Sequence, residues 1–227
     1  MRMAVQKDKQ AEFFCFQDYS PAERMADRVV HYIGVSLGLA AAMWLLVQAV
    51  HHGGTILVLS ITLYVFGLVG MLGSSAAYQL QQPSLLKERL RRLDRAMIFV
   101  MIAGTYTPIS ANVLIGRGGI WLCVVIWSLA AAGIFMTLRY PRRFERAMLA
   151  LYLAMGWMLL VLMHYCFALL QPVVLALIFA GGIAYSVGAA LHTYSKIKFY
   201  NPIWHTLILI AASCQYLATY LQLFRVP

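Results

Sequence analysis

Charge is what this chain has least of. Only 11% of its 227 residues are Asp, Glu, Lys or Arg, and just eight of those are acidic, while 62% are hydrophobic. A soluble domain is about a quarter charged, so this composition leaves too little polar side chain to cover a water-facing surface. Paired cysteines are missing as well. Cys15, Cys123, Cys166 and Cys214 show no CxxC or zinc-knuckle spacing, which argues against a disulfide framework or a zinc ribbon. Three of them lie in apolar runs, where a free thiol behaves as a small hydrophobe. Residues 1–28 hold Lys7, Asp8, Lys9, Glu12, Asp18, Glu23 and Arg24 with no apolar core, so no secretory leader is expected there. The last apolar run has no lysine, which excludes a retinal Schiff base at that position.

What the chain does have is long apolar runs. Seven of them, at about 29–50, 55–80, 96–114, 120–138, 147–170, 173–194 and 203–223, each come near the roughly 20 residues that cross a hydrocarbon core as helix. Barrel strands need only about 10 residues and alternate in polarity. The expected fold class is therefore an all-α integral membrane protein. It has one bundle of seven transmembrane helices over residues 20–225, behind a tail at 1–19. Loops this short leave no room for an extramembrane domain.

The positive charge is distributed unevenly. Of eighteen Lys and Arg, all but Arg117 and Arg225 fall in the N-terminal segment or in the loops that a seven-span count places on the same side. Short loops rich in Lys and Arg stay inside, which predicts a cytoplasmic N-terminus and an external C-terminus. The same asymmetry explains the net charge of +10 by topology, so no nucleic-acid partner is expected; membrane lipids are.

Local signals refine this picture. Ser20-Pro21-Ala22-Glu23 is a capping box with proline at the first helical position. Lys87 to Arg92 reads as a basic loop, with Asp94 opening span three. Pro108 is the one proline inside a span, where it is expected to kink the helix.

Polar side chains collect at one depth. Glu23, Asp27 and His31 lie on successive turns entering span one. Ser75 and Gln79 close span two, Asp94 opens span three, and Asn201 and His205 open span seven. The pairs 75/79 and 201/205 are spaced i, i+4 and share a helix face. Polar groups at membrane depth are costly unless they pair or face a cavity. Each residue also has a plain reading. Ser75 can bond its own backbone, Gln79 and Asn201 can reach headgroup water, Asp94 can complement a helix N-terminus, and His205 can be a packed core histidine. Convergence from four helices favours a cytoplasm-facing polar cavity.

Several stretches resemble the hemolysin III family, part of the larger progestin and adipoQ receptor group. They are Ala22 to Asp27 through His31, Ser75 to Tyr78, Leu93-Asp94, Gly104 to Pro108, Tyr152 to Trp157, Gly181-Gly182 with Tyr185, and Ile203 to His205. The resemblance spans about residues 20–222 and implies a seven-helix bundle with its N-terminus inside. It also implies a zinc ion near the cytoplasmic face. The ligands would be a histidine four residues after the span-two serine and two histidines spaced i, i+4 in span seven, with the serine and the span-three aspartate beside the metal.

Ser75, Asp94 and His205 match that pattern, the first two as residues close to the reacting centre and the third as a ligand. Gln79 and Asn201 stand where the other two histidines would be, and Gln215 replaces a further span-seven histidine. Neutral amides are weak zinc ligands. His205 is therefore expected to be the one good ligand left, in a site that has lost most of its metal affinity. The resemblance implies a role in membrane or lipid homeostasis rather than a secreted toxin. The alternatives are a zinc-dependent intramembrane hydrolase of lipid amides, and a channel or transporter.

Overall fold

A computed structural model describes residues 19–140, 142–193 and 198–225. The tail at residues 1–18 and the end of span six at Tyr194 lie outside the described residues. Helix α1 runs Pro21–His52, α2 Thr55–Leu80, α3 Leu85–Asn112, α4 Gly119–Arg139, α5 Glu145–Gly156, α6 Met163–Leu169, α7 Pro172–Thr193 and α8 Tyr200–Phe224. A 3-10 turn at Met158–Leu162 joins α5 to α6. Among the described residues there is no strand. Six helical stretches, Pro21–His52, Thr55–Leu80, Gly119–Arg139, Glu145–Leu169, Pro172–Leu191 and Tyr200–Phe224, are long and apolar enough to cross a membrane. The bundle is inverted in the sense a bilayer demands. Leu37, Met43, Trp121, Val161 and Phe167 point outward, 66–79% exposed, which suits lipid and not water.

The stretch read as span three belongs to α3, which is not among the six. Its first turns are charged and its last two turns carry Thr105, Thr107, Pro108 and Ser110. It packs against α2, α4, α5 and α8, so its polar stretch faces protein. Closeness to α2 has a specific cause. A Cβ on Gly104 would lie 3.0 Å from the Leu63 carbonyl oxygen and 3.2 Å from Tyr64 Cα, and one on Gly67 would lie 3.0 Å from Met101 Cα. The two backbones touch because each offers a glycine where they cross.

Two local expectations are corrected. Lys87 to Arg92 is helix, not loop: Ser84 accepts the Lys87 N–H at 3.2 Å as an N-cap, and Glu88 pairs with Arg91 and Arg92 one turn on. Asp94 therefore lies in the third turn of α3, not at its start. Span five is a broken rod. At Gly156 the helix gives way to a 3-10 turn, and the Tyr106 hydroxyl from α3 fills the gap. It lies 2.8 Å from the Met155 carbonyl and 2.7 Å from that of Gly156, and accepts the Leu159 N–H at 3.2 Å. Backbone groups freed inside a membrane must find protein partners, and here one phenol supplies them. The Trp157 indole, donating to Ser186 Oγ at 3.1 Å, fixes the break against α7. The helix through Pro108 continues to Asn112. The Ser20–Glu23 capping box forms as expected, with Glu23 N to Ser20 Oγ at 3.2 Å and Ser20 N to Glu23 Oε2 at 2.9 Å.

Candidate functional site

A cavity of about 460 Å³ opens between α2, α3, α5, α7 and α8. Its rim is charged, carrying Lys87, Arg91, Asp94, Arg95, Arg142 and Glu145. Gln79, Asn201 and His205 line its wall, and its inner part is apolar and aromatic, with Met101, Ile102, Leu153, Trp157 and Ile178. Gln215 also lines it, held by a bond from its Nε2 to the Ile178 carbonyl at 3.2 Å. Gly181 makes the space for that amide, since a Cβ there would lie 2.7 Å from Gln215 Nε2.

The helices that set the polar cluster are α1 and α8, which pack side by side. Asp27, His31, Asn201 and His205 are all buried, 5–7% exposed. His205 Nδ1 lies 2.6 Å from Asp27 Oδ1. One turn along α1, His31 Nδ1 lies 2.7 Å from the Asp27 backbone carbonyl and 3.7 Å from Asp27 Oδ2. A carbonyl can only accept, so His31 carries its proton on Nδ1 and leaves Nε2 as a lone pair. That Nε2 is 3.3 Å from Ser75 Oγ, and Ser75 in turn neighbours the Asp94 carboxyl. The two imidazole rings meet edge to face at 4.4 Å between centroids.

The expected residues thus divide. Gln79, Asp94, Asn201, His205 and Gln215 share one cavity. Asp27, His31 and Ser75 stand behind its wall, joined to it through His205 and Asp94. Glu23 does not belong to the cavity; besides capping α1, its Oε1 accepts the Phe199 N–H at 2.9 Å. It ties the start of α1 to the turn before α8, where Phe199 has φ 59°.

The charged rim was missed by sequence reasoning, because Lys87 to Arg92 was read as loop. Glu88, 3% exposed, accepts Arg91 Nε at 3.1 Å, Arg91 Nη2 at 2.8 Å and Arg142 Nη2 at 2.9 Å. Arg91 Nη1 reaches Glu145 at 2.9 Å. Burial alone would push the Glu88 carboxyl up, but the hydrogen bonds and charges of Arg91 and Arg142 hold it down at about 2. The signal that could have found it was Glu88 three residues before Arg91. Tyr19 and Tyr200, bonded hydroxyl to hydroxyl at 2.7 Å, also line the cavity and carried no such signal.

The donor set can be tested against a metal. Positions 79 and 201, which the resemblance marks as ligands, hold amides and fit zinc poorly. His205, however, is not the isolated ligand that the sequence suggested. Asp27, His31 and His205 each place a donor atom within 4.8 Å of the other two. A carboxylate and two imidazoles are a donor set that suits zinc.

Comparisons with known proteins agree with the residue pattern. The family described as "Haemolysin-III related" matches residues 22–216. The chain is similar to "Hemolysin-3 homolog" of Bacillus subtilis (strain 168), 32% identical over 205 residues, covering 90% of this chain and 96% of that protein. It is also similar to "Hemolysin-3" of Bacillus cereus, 34% identical over 188 residues, covering 82% and 85%. A more distant likeness, 27% over 138 residues, covering 59% of this chain and 56% of the relative, is to the human "Monocyte to macrophage differentiation factor". No solved structure gives a significant match. With a family match that runs from the capping box of α1 nearly to the end of α8, and relatives aligned over almost their whole length, this membrane protein belongs to the hemolysin III family.

Proposed function

We propose that the protein is a seven-span protein of the cytoplasmic membrane, N-terminus inside and C-terminus outside, that serves membrane-lipid homeostasis by holding a lipid in its cytoplasm-facing cavity. One observation carries this reading: the cavity is charged at its rim and apolar within. That polarity matches an amphiphile with a polar head and a hydrocarbon chain, and about 460 Å³ falls in the range of small-molecule sites. On this reading α3 is the seventh spanning helix, its polar residues sheltered by α2, α4, α5 and α8. The test is mass spectrometry of lipid retained by the purified protein, beside Met101→Trp and Ile102→Trp, which fill the apolar part. Retained lipid in the wild type and its loss in both variants is the expected result. Equal lipid in all three would refute the reading.

A second reading, an intramembrane hydrolase of lipid amides, is favoured by the meeting of Ser75, Asp94 and His205 beside the same cavity. Asp27, His31 and His205 are the residues that would hold zinc, and a bound zinc would supply a water made acidic near neutral pH. Asp94 and Ser75 would then orient the polar head of a substrate entering from the cavity. Release of a fatty acid from a lipid amide by purified protein would put this reading ahead of simple lipid binding.

A further inference from the structure

We infer that Asp27, His31 and His205 form a divalent-metal site of this chain's own, with ligands drawn from α1 and α8 and none at positions 79 and 201. The inference stands on the geometry of these three residues and does not rest on the lipid reading.

Spacing is the first support. Tetrahedral zinc with bonds of about 2.0–2.1 Å separates its ligand atoms by roughly 3.3 Å. One donor atom from each of the three residues already lies within 4.8 Å of the other two, a spread that side-chain rotation can narrow. Orientation is the second. The Nδ1–H of His31 is held by the Asp27 carbonyl at 2.7 Å, the kind of outer contact that fixes the tautomer of a metal-binding histidine and aims its other nitrogen. That Nε2 has a long 3.3 Å partner, the Ser75 hydroxyl, a weaker hold than the one on Nδ1.

Charge is the third. Asp27 is buried against His205 at 2.6 Å, and the second carboxylate, Asp94, lies within electrostatic reach of His205. Carboxylates beside two imidazoles are the donor chemistry that a divalent cation takes. Two imidazoles and one carboxylate also leave a fourth position open, the ligand count of catalytic rather than structural zinc. Of the three residues, His205 lines the cavity.

The resemblance directs attention to α2 and α8, where Gln79 and Asn201 have no imidazole. The structure assigns the carboxylate and the second imidazole to α1, the helix that lies between them in the ring. Asp27 and His31 are one turn apart, so a single helix supplies two ligands.

The test uses the full-length protein, purified in detergent without chelator, then stripped, reloaded with Zn²⁺ or Co²⁺ and desalted. About one ion per chain is expected, with the visible absorption of tetrahedral Co²⁺. Asp27→Asn, His31→Gln and His205→Gln should each weaken Zn²⁺ binding at least about 10-fold in competition with a chromophoric chelator, while Gln79→Ala and Asn201→Ala change it less than about 2-fold. A wild type that keeps no ion and gives no Co²⁺ spectrum overturns the inference whether or not any variant folds. Strong loss in Gln79→Ala and Asn201→Ala, with Asp27→Asn and His31→Gln unaffected, also overturns it. Retained lipid without metal would leave the lipid reading standing and reject this site alone.

Discussion

Glu88→Gln is the sharpest test of the rim. The carboxylate is 3% exposed and accepts three hydrogen bonds at 2.8–3.1 Å from two arginines. Its main partner, Arg91, is 5% exposed and keeps only Glu145 when the charge is removed. Breaking a buried pair by removing one partner costs about 3–5 kcal/mol. The amide retains one acceptor oxygen for a guanidinium, a bond type worth about 1.5–3 kcal/mol, so a loss of about 1–3 kcal/mol is expected near pH 7. The pH dependence follows from the depressed carboxyl. Its contribution is complete above its ordinary value of 4.5 and is lost as pH falls through about 2. Wild type and Glu88→Gln should therefore differ most at neutral pH and converge between about pH 4.5 and 2. The assay is thermal unfolding in detergent at a series of pH values. A constant gap down to pH 2, or no gap at pH 7, would refute the argument.

Other perturbations follow from single contacts. Gly104→Leu drives a side chain into the Leu63 and Tyr64 backbone at 3.0–3.2 Å, and should cost about 1–3 kcal/mol by separating α2 from α3, read as a lower unfolding temperature. Tyr106→Phe removes the partner of two carbonyls and one N–H at the break in span five. It should cost about 1–3 kcal/mol and raise hydrogen exchange at residues 155–160 with little change elsewhere; unchanged exchange there would show that the break does not depend on Tyr106. A reporter that is active only outside the cytoplasm, fused after Pro227, should be active, and cytoplasmic activity would mean an even number of spans.

The helices were legible because a bilayer imposes one length on each. Thr55–Leu80 has the boundaries read from the sequence, and other helices outrun their apolar stretches where polar or charged turns extend them. α3 starts eleven residues before its apolar run for that reason, Ser84 capping helix that hydropathy cannot register, while α1 starts at Pro21, where the Ser20–Glu23 capping box marks it. The break in span five was hidden, since Gly156-Trp157 is as apolar as its neighbours and its cause, Tyr106, lies fifty residues away.

For the site, depth was readable and partnership was not. Asp27 and His31 could be read as one turn apart entering span one, yet that Asp27 meets His205 across 178 residues depends on α1 packing beside α8. Resemblance to a ligand pattern on span two drew attention away from them.

The length of α1 has a consequence for where this chemistry sits. Its 32 residues make a rod about 48 Å long, well beyond a hydrocarbon core of about 30 Å. From His52 back to His31 is about 32 Å of that rod, so with His52 at one boundary of the core, His31 falls at the other and Asp27 about one turn beyond. The cluster then works as a depth gauge. A bilayer thinner by a few ångströms leaves the end of the bundle that holds the cluster level with headgroups and water; a thicker one draws that end into hydrocarbon or tilts the rod. Membrane thickness itself thereby becomes a variable that sets how near to water the end of the bundle holding this group lies.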